Sequence, residues 1–543
     1  MIEGVIFDFD GTIYDYELCN NKAANSIYNY IHNISNINID IITIKYNEIN
    51  KIIKNSNNYS NKFNKYIYIK CLMEELNISM IYLENIINEY EKEFNNNIKL
   101  FDNIIDVFNI LKNNNIKIGL LSNNNFKQQY DKLKLLNILS YFDCIYTSDE
   151  IGEEKPNIYG FMKIINKMNL KNNKNIIYIG DNYYNDIIPA LKLKLLPFYF
   201  NNNIKNDNIL IYKDKYFEFN NFILLKLFFE NYFKSINEFE FLSKLFGQSE
   251  INIQGQGGNL SIKINNNIML IKSSGEILGN ITNINGYCII NNKLCKELLY
   301  ENNDSLQSIK IIGGKHPSIE TYFHCFTKKY TIHLHFLLAN IFLCTEQLEY
   351  FKNLNLPHKI IKYFPPGIIL AQEIYQKYDN NINVYFLMNH GIIITADTIS
   401  EINYLYEEIF IYFNNISDNK FNNDLFSYKI SKYIYDKFNK SIICREYKNI
   451  DVKYIKHIKY CFPDLVVYIR NILNIINLIE INIIPDIIIF NDIIYIIANN
   501  INKLYCMIET LNIYNLLCVN NYNKLQIIDE KIIENMEQEK YRK

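Results

Sequence analysis

Gly4-Val5-Ile6-Phe7-Asp8-Phe9-Asp10-Gly11-Thr12 decides the reading of the first half of the chain. A short apolar run closed by a turn reads as a buried strand, here Gly4–Phe9. Two acids spaced by two on a strand leave the same face. Gly11-Thr12 turns the chain and holds both acids at the strand's C-terminal edge, where open α/β sheets bind ligands. Working outward, further strand candidates are Ile116–Ser122, Asp143–Thr147, Ile176–Gly180 and Leu195–Phe200. Amphipathic stretches such as Pro156–Met168 alternate with them. That alternation predicts an α/β fold with a parallel sheet. Residues 13–100 are helical in pattern and form a long insertion after the first strand.

The 543 residues are too many for one ordinary core. The texture changes near 236. Gly255-Gln256-Gly257-Gly258 precedes strands at Ser261–Ile264, Ile268–Lys272 and Tyr287–Ile290. Helices are expected at about 317–327 and 365–378, and a strand at Val384–Met388. The likeliest junction is 201–240, with a helix around Asn221–Phe233. The expected domains are 1–235, with a helical cap at about 13–100, and 236–543. The second divides into a catalytic part at about 240–425 and a C-terminal extension at 430–543 that carries no chemical motif.

A net charge of −2 gives no electrostatic case for a nucleic-acid partner. The eleven cysteines include no CxxC pair and sit in apolar runs, which fits buried free thiols in a reducing compartment. No signal peptide precedes the first strand, and the longest apolar runs are broken short of the ~20 residues that a membrane span needs. A cytoplasmic protein with no membrane partner is expected.

Three further motifs follow the first in order. Ser122 ends the second strand. Lys155 follows Gly152-Glu153-Glu154 and precedes Pro156. Gly180-Asp181-Asn182-Tyr183-Tyr184-Asn185-Asp186 closes a later strand with two more acids. Together the four motifs resemble the haloacid dehalogenase-like hydrolase superfamily over about residues 1–233. The resemblance implies Asp8 as a nucleophile that forms an aspartyl-phosphate and Asp10 as general acid and base. It implies Ser122 and Lys155 on the phosphoryl oxygens. It also implies Mg²⁺ held among Asp8, Asp10, Asp181 and Asp186, since four acids without a cation would repel.

Only eight His occur in the chain. His333 and His335 are two apart on a strand, and His390 follows another strand in Asn389-His390-Gly391. Three His with one open position is the pattern of a catalytic zinc. Glu320 lies upstream, and His324, one helical turn after it, is a candidate for supporting the site. Gly257-Gly258-Asn259-Leu260-Ser261, Lys272-Ser273-Ser274-Gly275 and Pro317-Ser318-Ile319-Glu320-Thr321 precede the His pair. With the His set they resemble the class II aldolase/adducin family over about 236–543. Tyr363-Phe364-Pro365-Pro366-Gly367 and Phe462-Pro463-Asp464-Leu465-Val466-Val467 fit its long members.

This second resemblance implies an α/β/α class II aldolase-like domain. Asn259, Ser274, Gly275 and Ser318 would cradle a substrate phosphate. Zn²⁺ on His333, His335 and His390 would stabilise an enediolate. Glu320 would move protons, and Tyr363 is the best-placed tyrosine acid. A homo-oligomer, possibly a cyclic tetramer, is also implied.

Two sites in one chain suggest a bifunctional enzyme of phosphorylated sugars, combining a Mg-dependent phosphatase with a Zn-dependent aldolase. A methionine-salvage dehydratase/phosphatase fusion is the second reading. Asp10 argues against it, because the phosphatase of that pathway typically carries Glu there. A phosphatase joined to a non-catalytic adducin-like binding module is the third, since that fold persists in members without a metal.

Overall fold

A computed structural model describes residues 1–55, 64–202, 210–212, 215–313, 315–345, 347–417, 420–459 and 468–525. The motif Phe462–Val467 lies outside the described residues. The chain divides into two compact units, Met1–Phe233 and Lys234–Lys543.

The first unit is built on a seven-stranded sheet. Its strands are β1 (Gly4–Phe7), β2 (Lys117–Ser122), β3 (Cys144–Thr147), β4 (Ile176–Gly180), β5 (Leu196–Phe200), β6 (Leu210–Tyr212) and β7 (Tyr216–Phe219). The order is β3-β2-β1-β4-β5-β7-β6, parallel throughout except for β6. Val5, Ile6 and Phe7, like Ile176 to Ile179, are fully buried. Near-continuous apolar runs are what strands covered on both faces require. β1 stops at Phe7, shorter than its apolar run suggests: Asp8 N–H still bonds to Ile179 O at 2.8 Å, but Phe9 O accepts from Thr12 N (3.2 Å) and Ile13 N (3.0 Å) as the chain turns.

The insertion after β1 contains helices Tyr16–Ser35, Ile39–Lys54, Lys65–Glu75 and Leu83–Asn97. The first is capped by Asp15, whose carboxylate accepts from Leu18 N at 2.9 Å. The two ends of the insertion are fastened together. Tyr14 bridges Leu100, and Phe101 N donates to Ile13 O at 3.0 Å.

The expected helix at 221–233 runs on to Gly247. Tyr232, Ile236, Phe239, Leu242 and Phe246 recur at helical spacing and are all buried, so Ser235 does not interrupt the pattern. The division between the two units falls inside this helix.

The second unit has an eight-stranded mixed sheet. Its strands are β8 (Asn259–Lys263), β9 (Ile268–Lys272), β10 (Tyr287–Asn291), β11 (Lys310–Ile312), β12 (Tyr330–Leu334), β13 (His358–Ile361), β14 (Val384–Leu387) and β15 (Gly391–Ala396). The order is β11-β10-β9-β8-β12-β15-β14-β13, and only β13 and β14 pair in parallel. The helix expected at 317–327 is reduced to Thr321–His324. Pro317 bridges Ser273 and Ser318 N bonds to Lys272 O at 3.2 Å, so the end of β9 holds this segment extended.

The second unit also holds a four-stranded sheet of β16 (Ile443–Tyr447), β17 (Ile472–Asn474), β18 (Ile487–Phe490) and β19 (Ile493–Ala498), ordered β16-β19-β18-β17. Ile487, Ile489, Ile494 and Ile496 pack on the helix Ile501–Asn521, while Ile488, Tyr495 and Ile497 pack on the helix Asn422–Phe438. The period of two is that of a sheet covered on both faces. Asn491 and Asp492, both at positive φ, make the turn between β18 and β19. No helix among the described residues is long and apolar enough to cross a membrane.

Candidate active sites

In the first unit the polar residues gather where β1 and β4 lie side by side, at the point where strand order reverses. Asp8 follows β1, and Asp181 follows β4. Lys155 Nζ lies 2.6 Å from Asp8 Oδ1, 2.6 Å from Asp186 Oδ1 and 3.1 Å from the Tyr178 hydroxyl. Thr12 Oγ1 donates toward Asp8 Oδ2 (3.1 Å) and Asp181 Oδ1 (3.2 Å). Asp186 Oδ2 accepts from Asn182 N at 3.0 Å. The packing here demands glycine. A Cβ on Gly11, at φ +91°, would meet Asp181 Oδ2 at 2.3 Å.

Asp8, Lys155 and Asp186 are all buried. Burial pushes the Asp8 carboxyl well up, against Lys155 and reinforced by Asp186 and Asp181. Burial and Asp186 likewise push Asp181 up to about 6. Burial also works against the Lys155 ammonium, but Asp186 and Asp8 outweigh it and hold its pKa above the ordinary value. Three carboxylates face one ammonium, and oxygens of Asp8, Asp181 and Asp186 lie within 4.8 Å of one another. Excess negative charge on clustered oxygen ligands fits a hard divalent cation.

Asp10 does not join that cluster. Its carboxylate accepts from Lys132 Nζ (2.7 Å), Gln129 Nε2 (2.7 Å), Asn124 Nδ2 (3.1 Å) and the Tyr14 hydroxyl. Burial raises its pKa, but Lys132 and these donors outweigh burial and hold it below the usual range. Asp10, expected as a fourth carboxylate of the metal site, thus has its side chain outside the group formed by Asp8, Asp181 and Asp186. A cation and several donors on the other side draw its side chain away. Ser122 sits beside it, its Oγ 2.7 Å from Gln129 Nε2.

Gln129 and Lys132 escaped the sequence reading, although they lie three apart on the helix Phe126–Leu135 and so share one face. Asn124, two residues after Ser122, was the nearer clue. Tyr178 was hidden inside an apolar strand.

In the second unit, His333 lies on β12 opposite Asn259 of β8 and Ile393 of β15. His335 follows the end of β12. His390 sits in the β14–β15 turn after Asn389, at φ 55°. Two glycines permit this convergence. A Cβ on Gly391 would meet Leu334 O at 2.1 Å, and one on Gly257 would meet His335 Nδ1 at 2.5 Å. The ring centroids are 4.7–5.1 Å apart. Glu320 Oε1 lies 3.4 Å from His333 Nε2 and 3.3 Å from His390 Nε2. One ligand atom from each of the four residues falls within 4.8 Å of the rest.

His333 Nδ1 is 3.0 Å from Ile392 O and must donate to it, so Nε2 carries the lone pair in the neutral ring. That buried Nε2 makes no hydrogen bond. Burial pulls His333 down to about 3 and lowers His335 as well. The Glu320 carboxyl stays below its ordinary range because His333 and His390 outweigh its burial. Neutral imidazoles beside an ionised carboxylate, with an orphaned ring nitrogen among them, fit a divalent transition metal.

The other expected residues lie on loops around these ligands. Asn259 is buried, with Nδ2 3.5 Å from Glu320 Oε2. The Ser273–Pro317 bridge joins the loop of Ser274 and Gly275 to the loop of Ser318. The N–H groups of Ser274 and Ser318 are already bonded to His316 O and Lys272 O, which leaves those two residues their hydroxyls to offer. Lys272, unassigned by the sequence, ties the loops together through Gln256 O (3.3 Å) and Glu276 O (2.7 Å). His324 is buried against Ser261, Nδ1 to Oγ 2.7 Å. Tyr363 is 57% exposed.

Comparison with known proteins finds a family match in each unit. Residues 5–195 match the family described as haloacid dehalogenase-like hydrolase, and residues 242–410 match the class II aldolase and adducin N-terminal domain. A glyceraldehyde 3-phosphate phosphatase of Methanocaldococcus jannaschii is 29% identical over 204 residues, which is 36% of this chain and 83% of that protein. A HAD phosphatase structure from Thermococcus onnurineus aligns at 19% identity and TM-score 0.32, covering 41% of this chain and 96% of that one. The N-terminal class II aldolase domain of a conserved Thermoplasma acidophilum protein aligns at 24% identity and TM-score 0.31, covering 33% and 92%. One chain thus carries a haloacid dehalogenase-like hydrolase domain at residues 5–195 and a class II aldolase/adducin domain at residues 242–410.

Proposed function

We propose that the chain is a bifunctional enzyme of phosphorylated sugars. Its first unit hydrolyses a phosphomonoester, and its second makes or breaks a carbon–carbon bond in a phosphorylated ketose. The observation that carries this reading is that each unit gathers its own separate set of metal-ligating side chains, Asp8, Asp181 and Asp186 in one and Glu320, His333, His335 and His390 in the other. Similarity to a phosphatase of glyceraldehyde 3-phosphate supports a small phosphorylated carbonyl compound as the first unit's substrate class.

In the hydrolase unit, an Asp8 oxygen attacks phosphorus and the bond to the leaving oxygen breaks. Asp10 carries a proton between that oxygen and the water that opens the aspartyl-phosphate, and bound substrate must first loosen its pairing with Lys132 so that it can hold that proton. Lys155 and Ser122 hold the phosphoryl oxygens. Mg²⁺ on Asp8, Asp181 and Asp186 would neutralise charge between phosphoryl group and carboxylates. The helical insertion acts as the cap that shapes the substrate cavity.

In the aldolase unit, Zn²⁺ on His333, His335 and His390 would act as a Lewis acid toward the ketose carbonyl. Glu320 moves the proton at the adjacent carbon. Asn259, Gly275 and the hydroxyls of Ser274 and Ser318 hold the substrate phosphate.

The test separates the two activities. Asp8→Asn abolishes phosphate release and leaves aldol cleavage, while His333→Ala does the reverse. If either change removed both activities from a folded chain, the two-site reading would fail.

A further inference from the structure

A cavity of about 850 Å³ lies between the helical insertion and the loops at the sheet edge. Asp10, Asn123 and Asn124 line it from the sheet side. Asn123 is tied to the phosphoryl-binding loop, its Oδ1 accepting from Lys155 N at 2.7 Å. Tyr16, Lys54, Lys65, Tyr90 and Phe94 line the cavity from the insertion. A phosphomonoester held at Asp8 would extend the rest of its body into this space.

Lys65 stands apart from the other cations there. Lys132 is already paired with Asp10 at 2.7 Å, and Lys54 and Lys134 lie exposed. Lys65 is drawn inward between aromatic rings, its Nζ 5.1 Å from the Tyr68 centroid and 5.2 Å from that of Tyr90. Its hydrogen-bond acceptor is neutral, Asn20 Oδ1 at 2.9 Å, and this atom also accepts the Tyr90 hydroxyl at 2.7 Å. Among the described residues no carboxylate lies within ion-pairing distance of it. An ammonium has three donors, so a sheltered one served by a single shared oxygen is short of a counter-charge.

Local structure makes this lysine still less expected. Lys65 is the first residue of the helix Lys65–Glu75, after the N-cap Asn64. Cations are disfavoured at that end of a helix, where the backbone already presents positive charge. Two unfavourable placements of one charge are both relieved by an anion in the cavity.

We propose that Lys65 is a specificity residue of the hydrolase site, recognising a second anionic group, carboxylate or phosphate, on the phosphomonoester bound at Asp8. This rests on the phosphatase reading above and narrows its substrate class. Burial, with Lys54 and Lys132 adding to it, brings Lys65 down to about 7, which an arriving anion would reverse.

The test uses the full chain with Mg²⁺ and three probes built on one three-carbon chain: propyl phosphate, O-phospho-3-hydroxypropionate and propane-1,3-diyl bisphosphate. Hydrogen bonding between charged groups predicts a kcat/KM about 10- to 100-fold higher for a doubly anionic probe than for propyl phosphate. The gain should reside mainly in KM. Lys65→Met should collapse that ratio to within about threefold, while Lys65→Arg retains most of it. Lys65→Gln serves as the second neutral variant if the Met chain does not fold. A preference for the carboxylate probe or for the bisphosphate says which anion is recognised.

Equal kcat/KM for the three probes in the parent chain overturns the assignment, as does a ratio unmoved by Lys65→Met. Absence of phosphate release from every probe would defeat the phosphatase reading instead. Calorimetric Kd values for the same probes on Asp8→Asn, with and without Lys65→Met, then decide the Lys65 assignment by the same ratio.

Discussion

Replacing Lys155 with Met tests the charge balance of the hydrolase site. The ammonium sits 2.6 Å from both Asp8 Oδ1 and Asp186 Oδ1, with all three side chains buried. Removing one partner of a buried ion pair costs about 3–5 kcal/mol, because the surviving charges are left uncompensated. In a unit of this size each kcal/mol moves the melting temperature by about 2–4 °C. The metal-free variant should therefore melt about 6–20 °C below the parent at pH 8. Acid should narrow the gap. Asp181 has its folded pKa raised to about 6 from 3.8, so its contribution to stability is fully present below about 4 and is lost as pH rises through 6. Mg²⁺ at a hundred times its Kd stabilises by about 2.7 kcal/mol and should restore part of the deficit at pH 8. Scanning calorimetry of the full chain, following the transition that Mg²⁺ shifts, reads all three effects. A metal-free variant melting within 2 °C of the parent at pH 8 would refute the claim that Lys155 compensates these carboxylates.

Other perturbations probe the remaining geometry. Asp10→Asn should lower phosphate release by about 10²- to 10⁴-fold while leaving Mg²⁺ affinity, measured by titration calorimetry, almost unchanged; a large loss of Mg²⁺ binding would return Asp10 to the ligand set. Gly391→Ala forces a Cβ to 2.1 Å from Leu334 O, so it should destabilise the second unit by at least about 1–3 kcal/mol and reduce bound zinc; unchanged melting and zinc content would contradict the packing described. His333 is held down to about 3 and is neutral above that pH, so zinc should stay bound on acidification through the ordinary histidine range near 6.5. Dialysis against buffers from pH 7 to pH 4 with elemental analysis measures this, and half-release near 6.5 would count against His333 as a neutral, buried ligand.

The parallel sheet of the first unit was legible because strands buried on both faces are written as unbroken apolar runs, as in Ile176–Gly180. The clustered acids and histidines were legible as polar residues where they end strands, because strand ends are marked by the switch from apolar to polar residues. What each side chain turns toward was not legible. Asp8 and Asp10 are alike in sequence, yet one faces Lys155 and the other Lys132. The choice depends on cations more than a hundred residues away. Helix ends were misread wherever tertiary contacts overrode local pattern, as at Ser318, held by Lys272, and at Ser235, passed over by a continuous apolar stripe. The four-stranded sheet of β16 to β19 lies in the extension where the sequence offered no chemical motif, so neither its topology nor a role was legible there.

On the proposed reading of the insertion as a cap, the fastening of Tyr14 to Leu100 bears on how substrate preference can change over time. The insertion leaves and rejoins the chain at two adjacent points, so its roughly 85 residues form a closed excursion whose removal or exchange asks nothing of the strands beneath. Loop-closure entropy grows only slowly with length, so even large changes in the excursion cost the scaffold little. The same stem holds Tyr14, whose hydroxyl rests on Asp10. A recombined cassette would inherit its orientation over the reacting group from the graft point itself. New selectivity can then arise by swapping one segment, with the chemistry beneath it carried over intact.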